Sequence, residues 1–185
     1  MTQSSELLPS RAMIDAAKYS AVEPLRDGAS IEIRALRPDD RADILAALGR
    51  ASPQSLYRRF FGPRREFTER ELKFFLDVDF VDHVALVATV REGGRPVIVG
   101  GGRYVVVGPG KAEVAFAVVD EYQGRGIAAT LLRHLAAIAR QAGLTELIAE
   151  VLSENIAMLK VFERSGLRPD MKRDGGVVHV VLHFA

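Results

Sequence analysis

Apolar and polar positions change their spacing along the chain, and the changes divide it into elements. "SIEIRAL", from Ser30 to Leu36, alternates apolar and polar residues, which predicts a strand with one buried face. Helical spacing follows in a segment that begins at Pro38 and ends near Gly49, and again in "SPQSLYRRFFG" and "TERELKFFLDV". Thr68 and Glu71 stand three residues apart at the start of the last segment, which predicts a capping box.

The second half of the chain begins with β-branched runs. "HVALVATVRE", "RPVIVGGGRYVVV" and "KAEVAFAVV" are separated by "GG" and "GPG", which predicts an antiparallel meander. A helix from Gly126 to about Ala142, a buried strand "LTELIAEVL", a helix "ENIAMLKVFERSG" and a last strand "GVVHVVLHF" follow. This order predicts a mixed α/β (α+β) domain whose central sheet is mixed, mostly antiparallel and flanked by helices.

The first 29 residues differ from the rest of the chain. They are polar, carry Pro9, Pro24 and Gly28, and show at most one short helix around Ala12 to Tyr19. We therefore predict that residues 1–29 are a tail or tether outside the main core, and that residues 30–185 form the domain.

Composition narrows the functional classes. The chain has 185 residues, 48% of them hydrophobic, a formal net charge of +1 and no cysteine. This balance gives no overall electrostatic argument for nucleic acid or membrane partners, and it excludes disulfides and a thiol nucleophile. Without a secretory signal pattern or an apolar run near about 18 residues, we expect a cytoplasmic protein. The histidines show no ligand spacing on one element, so no metal is expected: His83, His134, His179 and His183.

A glycine-rich turn is the first candidate for chemistry. "QGRGIAATLL" places Gly124 and Gly126 directly before a predicted helix. A helix N-terminus offers unpaired amides and a partial positive charge, and glycine lets a ligand approach the backbone closely. Arg125 adds a cation at the rim, so the turn suits a phosphate or pyrophosphate. A turn without a ligand is the structural alternative.

Two other phosphate-binding motifs fit less well. Gly124, Gly126 and Ala129 match the dinucleotide pattern G-x-G-x-x-A, with Glu150 where a ribose-binding acid would stand. However, the preceding strands are linked by hairpins, and only 35 residues follow Glu150. "GPGK" at 108–111 lacks the first glycine and the Ser/Thr of a Walker loop. We disfavour both interpretations.

Two motifs together resemble those of the GNAT (Gcn5-related) N-acetyltransferases. Gln123-x-x-Gly126-x-Ala128, directly after "AFAVVDEY", resembles motif A, and "SENIAMLKVFERSGL" resembles motif B, with Asn155 at the start of its helix. The predicted order of elements is also that of the family, over about residues 31–183. "IRALRPDD", "SLYRRFF" and "AEVAFAVVDEYQGRGIAATLL" are similar to the acetyltransferase domain of bacterial Pat-type protein lysine acetyltransferases.

The resemblance implies acetyl-CoA as co-substrate and no metal. It places the pyrophosphate on the turn, the pantetheine beside the end of the strand at Phe116 to Val118, and the thioester carbonyl on the backbone N–H of Val118 as an oxyanion hole. Asn155 would bind the pantetheine, cap its helix, or do both. The implied cofactor-binding residues are Phe116, Ala117, Val118, Gln123, Gly124, Arg125, Gly126, Ile127, Ala128, Ala129, Asn155 and Phe162.

Two positions determine the expected chemistry. Glu113 matches the glutamate of lysine-acetylating family members, which implies a general base; the alternative is a surface charge that faces Lys111. Many GNATs have a tyrosine at position 162 that protonates the leaving thiolate, but this chain has Phe162. Another group must supply the proton, or the thiolate leaves unassisted, which its pKa of about 8.5 permits.

The acceptor is implied by the resemblance alone. It would be an amine that attacks the thioester directly, without an acyl-enzyme intermediate. The resemblance implies in particular a protein lysine, such as one on an acyl-CoA synthetase. A small-molecule amine acceptor and a catalytically inactive acyl-CoA sensor are the alternatives.

A stretch rich in arginine and aromatic residues has a different alternative interpretation. "SLYRRFFGPRREF" interleaves arginines with aromatic residues, as in some nucleic-acid surfaces. We favour a helix whose rings enter the core, and we expect neither a nucleic acid nor a membrane partner.

Overall fold

The computed structural model describes residues 13–62 and 66–185, which form one sheet with helices on both faces. The strand order is β1-β2-β3-β4-β5-β6-β8-β7, and every neighbouring pair is antiparallel except β5 and β6. The strands are β1 Ser20–Pro24, β2 Ser30–Ala35, β3 His83–Glu92, β4 Arg95–Gly108, β5 Lys111–Val118, β6 Glu146–Leu152, β7 Arg168–Asp174 and β8 Val177–His183. The helices are α1 Arg41–Gly49, α2 Pro53–Phe60, α3 Glu69–Leu76, α4 Ile127–Gln141 and α5 Ile156–Glu163.

The predicted fold class is confirmed, and the local signals explain most boundaries. The three β-branched runs form the antiparallel meander β3-β4-β5. Thr68 and Glu71 form the predicted capping box of α3: the Thr68 hydroxyl accepts from the Glu71 amide, and the Glu71 carboxylate accepts from the Thr68 amide. Helix α2 also begins at a side-chain cap, because the Ser52 hydroxyl accepts from the Ser55 amide.

The sheet has a core on each face. Helix α4 packs on one face through Leu131, Leu135 and Ile138, which are almost completely buried. On the other face, a smaller apolar cluster around Leu36 and Ile98 packs against α1 and the end of α3. Because both faces are covered, β3 is buried from its first residue to Val90, as its unbroken apolar sequence indicates.

The described part of the predicted N-terminal tail lies inside the fold, so that prediction is wrong for these residues. Strand β1 pairs with β2 over its whole length, and Leu25 belongs to the main core. Glu23 accepts hydrogen bonds from Arg133 and His134 of α4, and Tyr19 contacts His134. Apolar contacts of Ile14, Tyr19 and Leu25 with the core attach this segment together with these polar contacts. Its apolar residues are few and show no regular spacing, so its composition resembled that of a tail. Residues 1–12 lie outside the described residues.

Strand β7 is the second element that the sequence did not predict. It is an edge strand that pairs only with β8, and all its side chains are exposed except the half-buried Met171. Such a strand needs no apolar face, so it shows no alternation. The signal that would have revealed it is the two-residue turn at Gly175 and Gly176, where Gly175 has a φ of 57°. Two-residue hairpin loops favour glycine for this reason.

Candidate active site

A cleft opens where β5 and β6 diverge. These parallel strands pair only from Lys111↔Glu146 to Glu113↔Ile148, whereas β5 continues to pair with β4 as far as Val118↔Gly100. A cavity of about 630 Å³ lies at the divergence, and its walls include the ends of β5 and β6 and parts of α2, α4 and α5. The predicted pantetheine residues Phe116, Ala117 and Val118 all line it.

The backbone of Val118 faces this cleft. Val119 donates a hydrogen bond of 2.9 Å to the Val99 carbonyl, so Val119 and Val99 form a hydrogen-bonded pair of the β4–β5 ladder. Hydrogen-bonded and non-hydrogen-bonded pairs alternate along an antiparallel ladder. The Val118↔Gly100 and Phe116↔Gly102 pairs are therefore of the other type, and the N–H and C=O groups of Val118 and Phe116 point away from β4. This is the orientation that the predicted oxyanion hole requires.

The glycine turn has the backbone geometry of an anion site. Gly124 and Gly126 have φ angles of 76° and 88°, in the left-handed region that side chains disfavour, and α4 begins directly afterwards. The first amides of a helix lack intrahelical acceptors. Residues of the turn and of the first turn of α4 line the cavity: Gln123, Gly124, Gly126, Ile127, Ala128 and Ala129. The structure thus places these predicted residues at one end of the cleft.

Arginines surround the same turn. The Arg125 guanidinium lies over the Tyr122 ring, 4.6 Å from its centroid, and forms an ion pair of 3.4 Å with Asp27. Arg26 was not predicted, because it lies in the segment assigned to the tail. Its Nε stands 3.5 Å from the position that a Cβ on Gly126 would occupy. Together with Arg133 and Arg164, these residues line a smaller hollow of about 260 Å³ beside the turn, so the surroundings favour an anion.

Gln123 and Asn155 hold the walls of the cleft in place. The Gln123 amide nitrogen donates to the Val118 carbonyl at 3.0 Å and to the Ser55 hydroxyl at 3.1 Å. The Asn155 side-chain oxygen accepts from the Met158 amide at 3.3 Å, which makes it the N-cap of α5. In the described part of the chain no group accepts from the Asn155 side-chain nitrogen, and the residue lines the cavity, so both predicted roles are compatible with the geometry.

Phe162 is a core residue beside the cleft. It is 1% exposed, and its ring lies 6.2 Å from that of Phe116. The lack of a side chain at Gly102 makes room for this arrangement, because a Cβ there would lie 2.6 Å from Phe116 Cδ1. Tyr122 also lines the cavity, but its hydroxyl donates to Glu92 at 2.9 Å. Burial and this hydrogen bond raise the Tyr122 pKa, so Tyr122 is a poor proton donor for the thiolate.

Glu113 lies on the face of β5 that points away from α4. Glu113, Ala115 and Ala117 alternate with the buried residues of β5 and face the side of the sheet that α1 covers farther along. Ala115 lines the cavity, and Glu113, two residues before it on the same face of β5, is exposed. Lys111 forms an ion pair of 3.3 Å with Glu146 on β6, and none is formed between Lys111 and Glu113. The predicted alternative was a solvated surface charge that faces Lys111. Glu113 is exposed, as this alternative requires, but Lys111 pairs with Glu146 instead.

Two arginines stand near Glu113 on the same face of the sheet. Arg103 lies on β4 opposite Ala115, and Arg59 lies on α2; both line the cavity. Burial lowers the pKa of Arg59, and the charge of Glu113 acts in the opposite direction. Burial also lowers the pKa of Arg103 to about 10, and the charge of Arg59 contributes. A guanidinium group does not lose its proton in proteins at neutral pH, so both arginines are cations.

His83 orients Arg103. The Arg103 Nη1 lies 2.9 Å from His83 Nε2 and donates to the Phe75 carbonyl at 3.2 Å, and the guanidinium lies over the Phe75 ring. Burial, with a contribution from Arg103, lowers the His83 pKa to about 4. The imidazole is therefore neutral at pH 7, and its Nε2 accepts the hydrogen bond from Arg103.

The aromatic and arginine-rich stretch forms packing contacts. The rings of Phe60, Phe67 and Phe75 lie within 5.3 to 6.0 Å of one another, between α2 and α3. Tyr57 and Phe61 are exposed, and Arg64 and Arg65 lie outside the described residues. Phe60 and Phe67 therefore pack, half-buried, against Phe75, but neither ring belongs to a core cluster of the sheet. The prediction that the rings of this stretch enter the core holds for packing contacts only.

No group of three or more histidine, aspartate or glutamate side chains within residues 13–62 and 66–185 is arranged to hold a metal ion. No helix in these ranges has both the length and the apolar character that crossing a membrane requires.

Comparison with known proteins identifies the family. The model of the "Acetyltransferase (GNAT) family" matches residues 51–167. "Acetyltransferase PA5475" of Pseudomonas aeruginosa is 36% identical over 138 residues, 74% of each chain. "Acetyltransferase Pat" of Mycolicibacterium smegmatis is 36% identical over 142 residues, which cover 77% of this chain but only 42% of that protein.

A solved structure agrees with this assignment. The GNAT domain of S. lividans PAT superposes with a TM-score of 0.80 at 36% identity, over 89% of this chain and 97% of that one. The divergent strands, the glycine turn and the sequence matches lead to the same conclusion. The chain belongs to the GNAT family of acetyltransferases, enzymes that transfer an acetyl group to an amine.

Proposed function

We propose that the protein transfers the acetyl group of acetyl-CoA to the side-chain amine of a lysine on a partner protein. The observation that carries the proposal is the arrangement of the cleft. From Val114 to Val118 the edge of β5 has no partner on β6, and Glu113, the last residue that pairs with β6, is exposed to solvent. Similarity to proteins named Pat supports the choice of a protein acceptor.

Acetyl-CoA would lie along the cleft beside β5. The first amides of α4, together with Arg26, would bind the pyrophosphate, since both supply positive charge there. The pantetheine would lie along β5 and accept from or donate to the backbone groups of Phe116 and Val118. Phe162 packs under this path and contributes apolar surface. The thioester would then lie beside Ala115 and Ala117, whose short side chains leave room for an incoming amine.

The reaction is a direct attack on the thioester. Glu113 accepts a proton from the lysine ammonium, and the neutral amine attacks the thioester carbonyl. The backbone N–H of Val118 donates a hydrogen bond to the oxyanion of the tetrahedral intermediate. The C–S bond then breaks, and the CoA thiolate departs. With phenylalanine at position 162, no proton comes from this position. The attacking nitrogen is positively charged after it adds to the carbonyl, and it passes its extra proton to the departing thiolate, directly or through water, which leaves a neutral amide and the CoA thiol.

Mass spectrometry tests the acceptor class. A lysate would be separated into proteins and small metabolites, and each fraction incubated with the enzyme and isotopically labelled acetyl-CoA. We expect the label on lysine side chains of a few proteins, at least tenfold above a Glu113→Gln control. Label on small metabolites alone would favour the small-molecule alternative. Acetyl-CoA binding without transfer to either fraction would favour an inactive sensor.

A further inference from the structure

The face of the sheet that carries Glu113, Ala115 and Ala117 is called the acceptor face below. Two guanidinium groups on this face have no carboxylate partner. In residues 13–62 and 66–185, no group forms a hydrogen bond or an ion pair with Arg59, whose guanidinium lies over the Phe60 ring at 4.7 Å. The partners of Arg103, the Phe75 carbonyl and His83, are both uncharged at neutral pH. Arginines that are largely removed from water are normally paired with an anion. Both line the cavity, where a ligand can reach them.

The neighbouring charged groups have partners of their own. Arg58 on α2 has its own partner, Glu154, at 3.7 Å, and Lys111 is paired with Glu146. Glu113 is an acid whose charge acts on Arg59, but the two form no ion pair. Glu150 also lines the cavity, and it contacts His179 at 3.1 Å. Within the described part of the chain, Arg59 and Arg103 are therefore left without a direct carboxylate contact.

We propose that Arg59 and Arg103 bind a carboxylate that the acceptor carries close to its reactive amine. The proposal rests on the proposed function for the reacting amine, and it adds the class of acceptor. An acidic residue near the target lysine of a protein and the carboxylate of a small amino acid offer the same chemistry. Arginine suits this role, because its planar fork matches the two oxygens of a carboxylate. His83 is a positioning residue, because it holds Arg103 in the cavity wall.

Matched acceptors test the proposal. One set consists of short lysine peptides with aspartate or asparagine at each of the four positions nearest the lysine. The other consists of Nα-acetyl-lysine and Nα-acetyl-lysinamide, which differ in one carboxylate. We would measure kcat/KM for each with saturating acetyl-CoA, for the wild-type enzyme, Arg59→Gln and Arg70→Gln. Arg70 is exposed on α3 and loses the same charge, so it is the control.

We expect the wild-type enzyme to prefer at least one carboxylate acceptor to its amide by tenfold or more. Arg59→Gln should reduce that preference to less than threefold and change the acetyl-CoA Kd by less than threefold, while Arg70→Gln keeps the preference. Equal rates for every carboxylate and amide pair, no turnover of any acceptor, or a preference that survives in Arg59→Gln would overturn the proposal. A preference for Nα-acetyl-lysine over its amide, with no peptide acetylated, would support the carboxylate site but contradict the protein acceptor. Acetylation of all peptides at equal rates, with no preference between Nα-acetyl-lysine and its amide, would support the protein acceptor but contradict the carboxylate site.

Discussion

The side-chain amide of Gln123 donates a hydrogen bond of 3.0 Å to the backbone carbonyl of Val118. The same nitrogen donates to Ser55, so one side chain links the glycine turn, the end of β5 and α2. Gln123 was predicted to bind the cofactor. In the structure its side chain positions the strand end whose N–H is the proposed oxyanion donor.

Replacing this donor should weaken transition-state stabilisation. In Gln123→Glu, a carboxylate would face the Val118 carbonyl, and a lost hydrogen bond with added repulsion costs about 1–2 kcal/mol. We expect kcat/KM for acetyl-CoA to fall roughly 5- to 30-fold, measured by thiol release. Gln54→Glu makes the same charge change at an exposed position of α2 and should stay within twofold of the wild type. Equal effects of both variants would contradict the positioning role.

The glycine turn gives a second prediction. Gly126 has a φ of 88°, where valine is strained by roughly 1–3 kcal/mol, so Gly126→Val should shift the backbone amides of the proposed phosphate site. We expect the acetyl-CoA Kd, measured by calorimetry, to rise at least tenfold. Gly143 has a φ of 84° at the other end of α4 and a Cβ there meets no atom within 4 Å. Gly143→Val should therefore cost similar stability without changing the Kd, and unaltered affinity in Gly126→Val would exclude the turn as the phosphate site.

Asn155 offers a way to separate capping from cofactor binding. Serine can cap a helix nearly as well as asparagine, but it lacks the amide nitrogen that is available for pantetheine. Asn155→Ser should keep the free energy of unfolding within about 0.5 kcal/mol and raise the acetyl-CoA KM severalfold. Asn155→Ala should raise the KM similarly and also lose about 1 kcal/mol of stability. If the KM stays unchanged in Asn155→Ser, the residue only caps α5.

His83 makes stability depend on pH. Its pKa is lowered to about 4 by burial, against about 6.5 in an unfolded chain, so the unfolded state binds more protons between these values. The stabilisation is complete above about pH 6.5 and is lost as pH falls towards 4. From pH 7 to pH 5 this amounts to about 2 kcal/mol. In His83→Gln, the side chain can still accept a hydrogen bond from Arg103 but does not titrate. Between pH 7 and pH 5, the free energy of unfolding measured in urea should therefore fall by about 2 kcal/mol less in this variant than in the wild type.

The fold was predictable wherever one face or both faces of an element are apolar. The spacing of apolar residues predicts strands β3 to β5 and helix α4, and the capping-box pattern predicts the start of α3. Strands β1 and β7 lie at the two edges of the sheet, where "SAVEP" and "RPDMKRD" need bury little apolar surface. Their sequences therefore lack the alternation on which strand prediction depends.

The candidate site was predictable where its residues form a contiguous motif. The turn at Gly124 and Gly126 could be found because the same backbone conformation requires glycine and presents the amides. Arg26 and Arg103 could not be found, because strand register and helix packing bring them to the cavity from distant segments. Arg59 lies in the arginine-rich stretch "SLYRRFFGPRREF", but the sequence does not show which arginine of that stretch reaches the cavity. The same limit applies to Lys111, which the sequence places beside Glu113 but whose partner on the parallel strand is Glu146.

The last prediction concerns Glu113 as the general base. A lysine with a pKa of about 10.4 is neutral only to about one part in 2,500 at pH 7, a deficit of about 4.6 kcal/mol that a base helps to overcome. Glu113 lies on the same face of β5 as Ala115 and Ala117 and forms no ion pair with Lys111. Glu113→Gln keeps the shape of the side chain and removes its proton-accepting capacity. We expect kcat at pH 7 to fall roughly 10²- to 10⁴-fold, while the acetyl-CoA Kd stays within twofold.

The pH profile of this variant distinguishes a base from a surface charge. As pH rises towards the pKa of the acceptor, more of the amine is neutral without help, so the deficit of Glu113→Gln should shrink by about tenfold for each pH unit between 7 and 9. Glu163→Gln removes a similar charge from an exposed position on α5 and should match the wild type at every pH. A parallel loss at all pH values would instead indicate that Glu113 orients the acceptor, and an undiminished kcat at pH 7 would leave it a surface carboxylate.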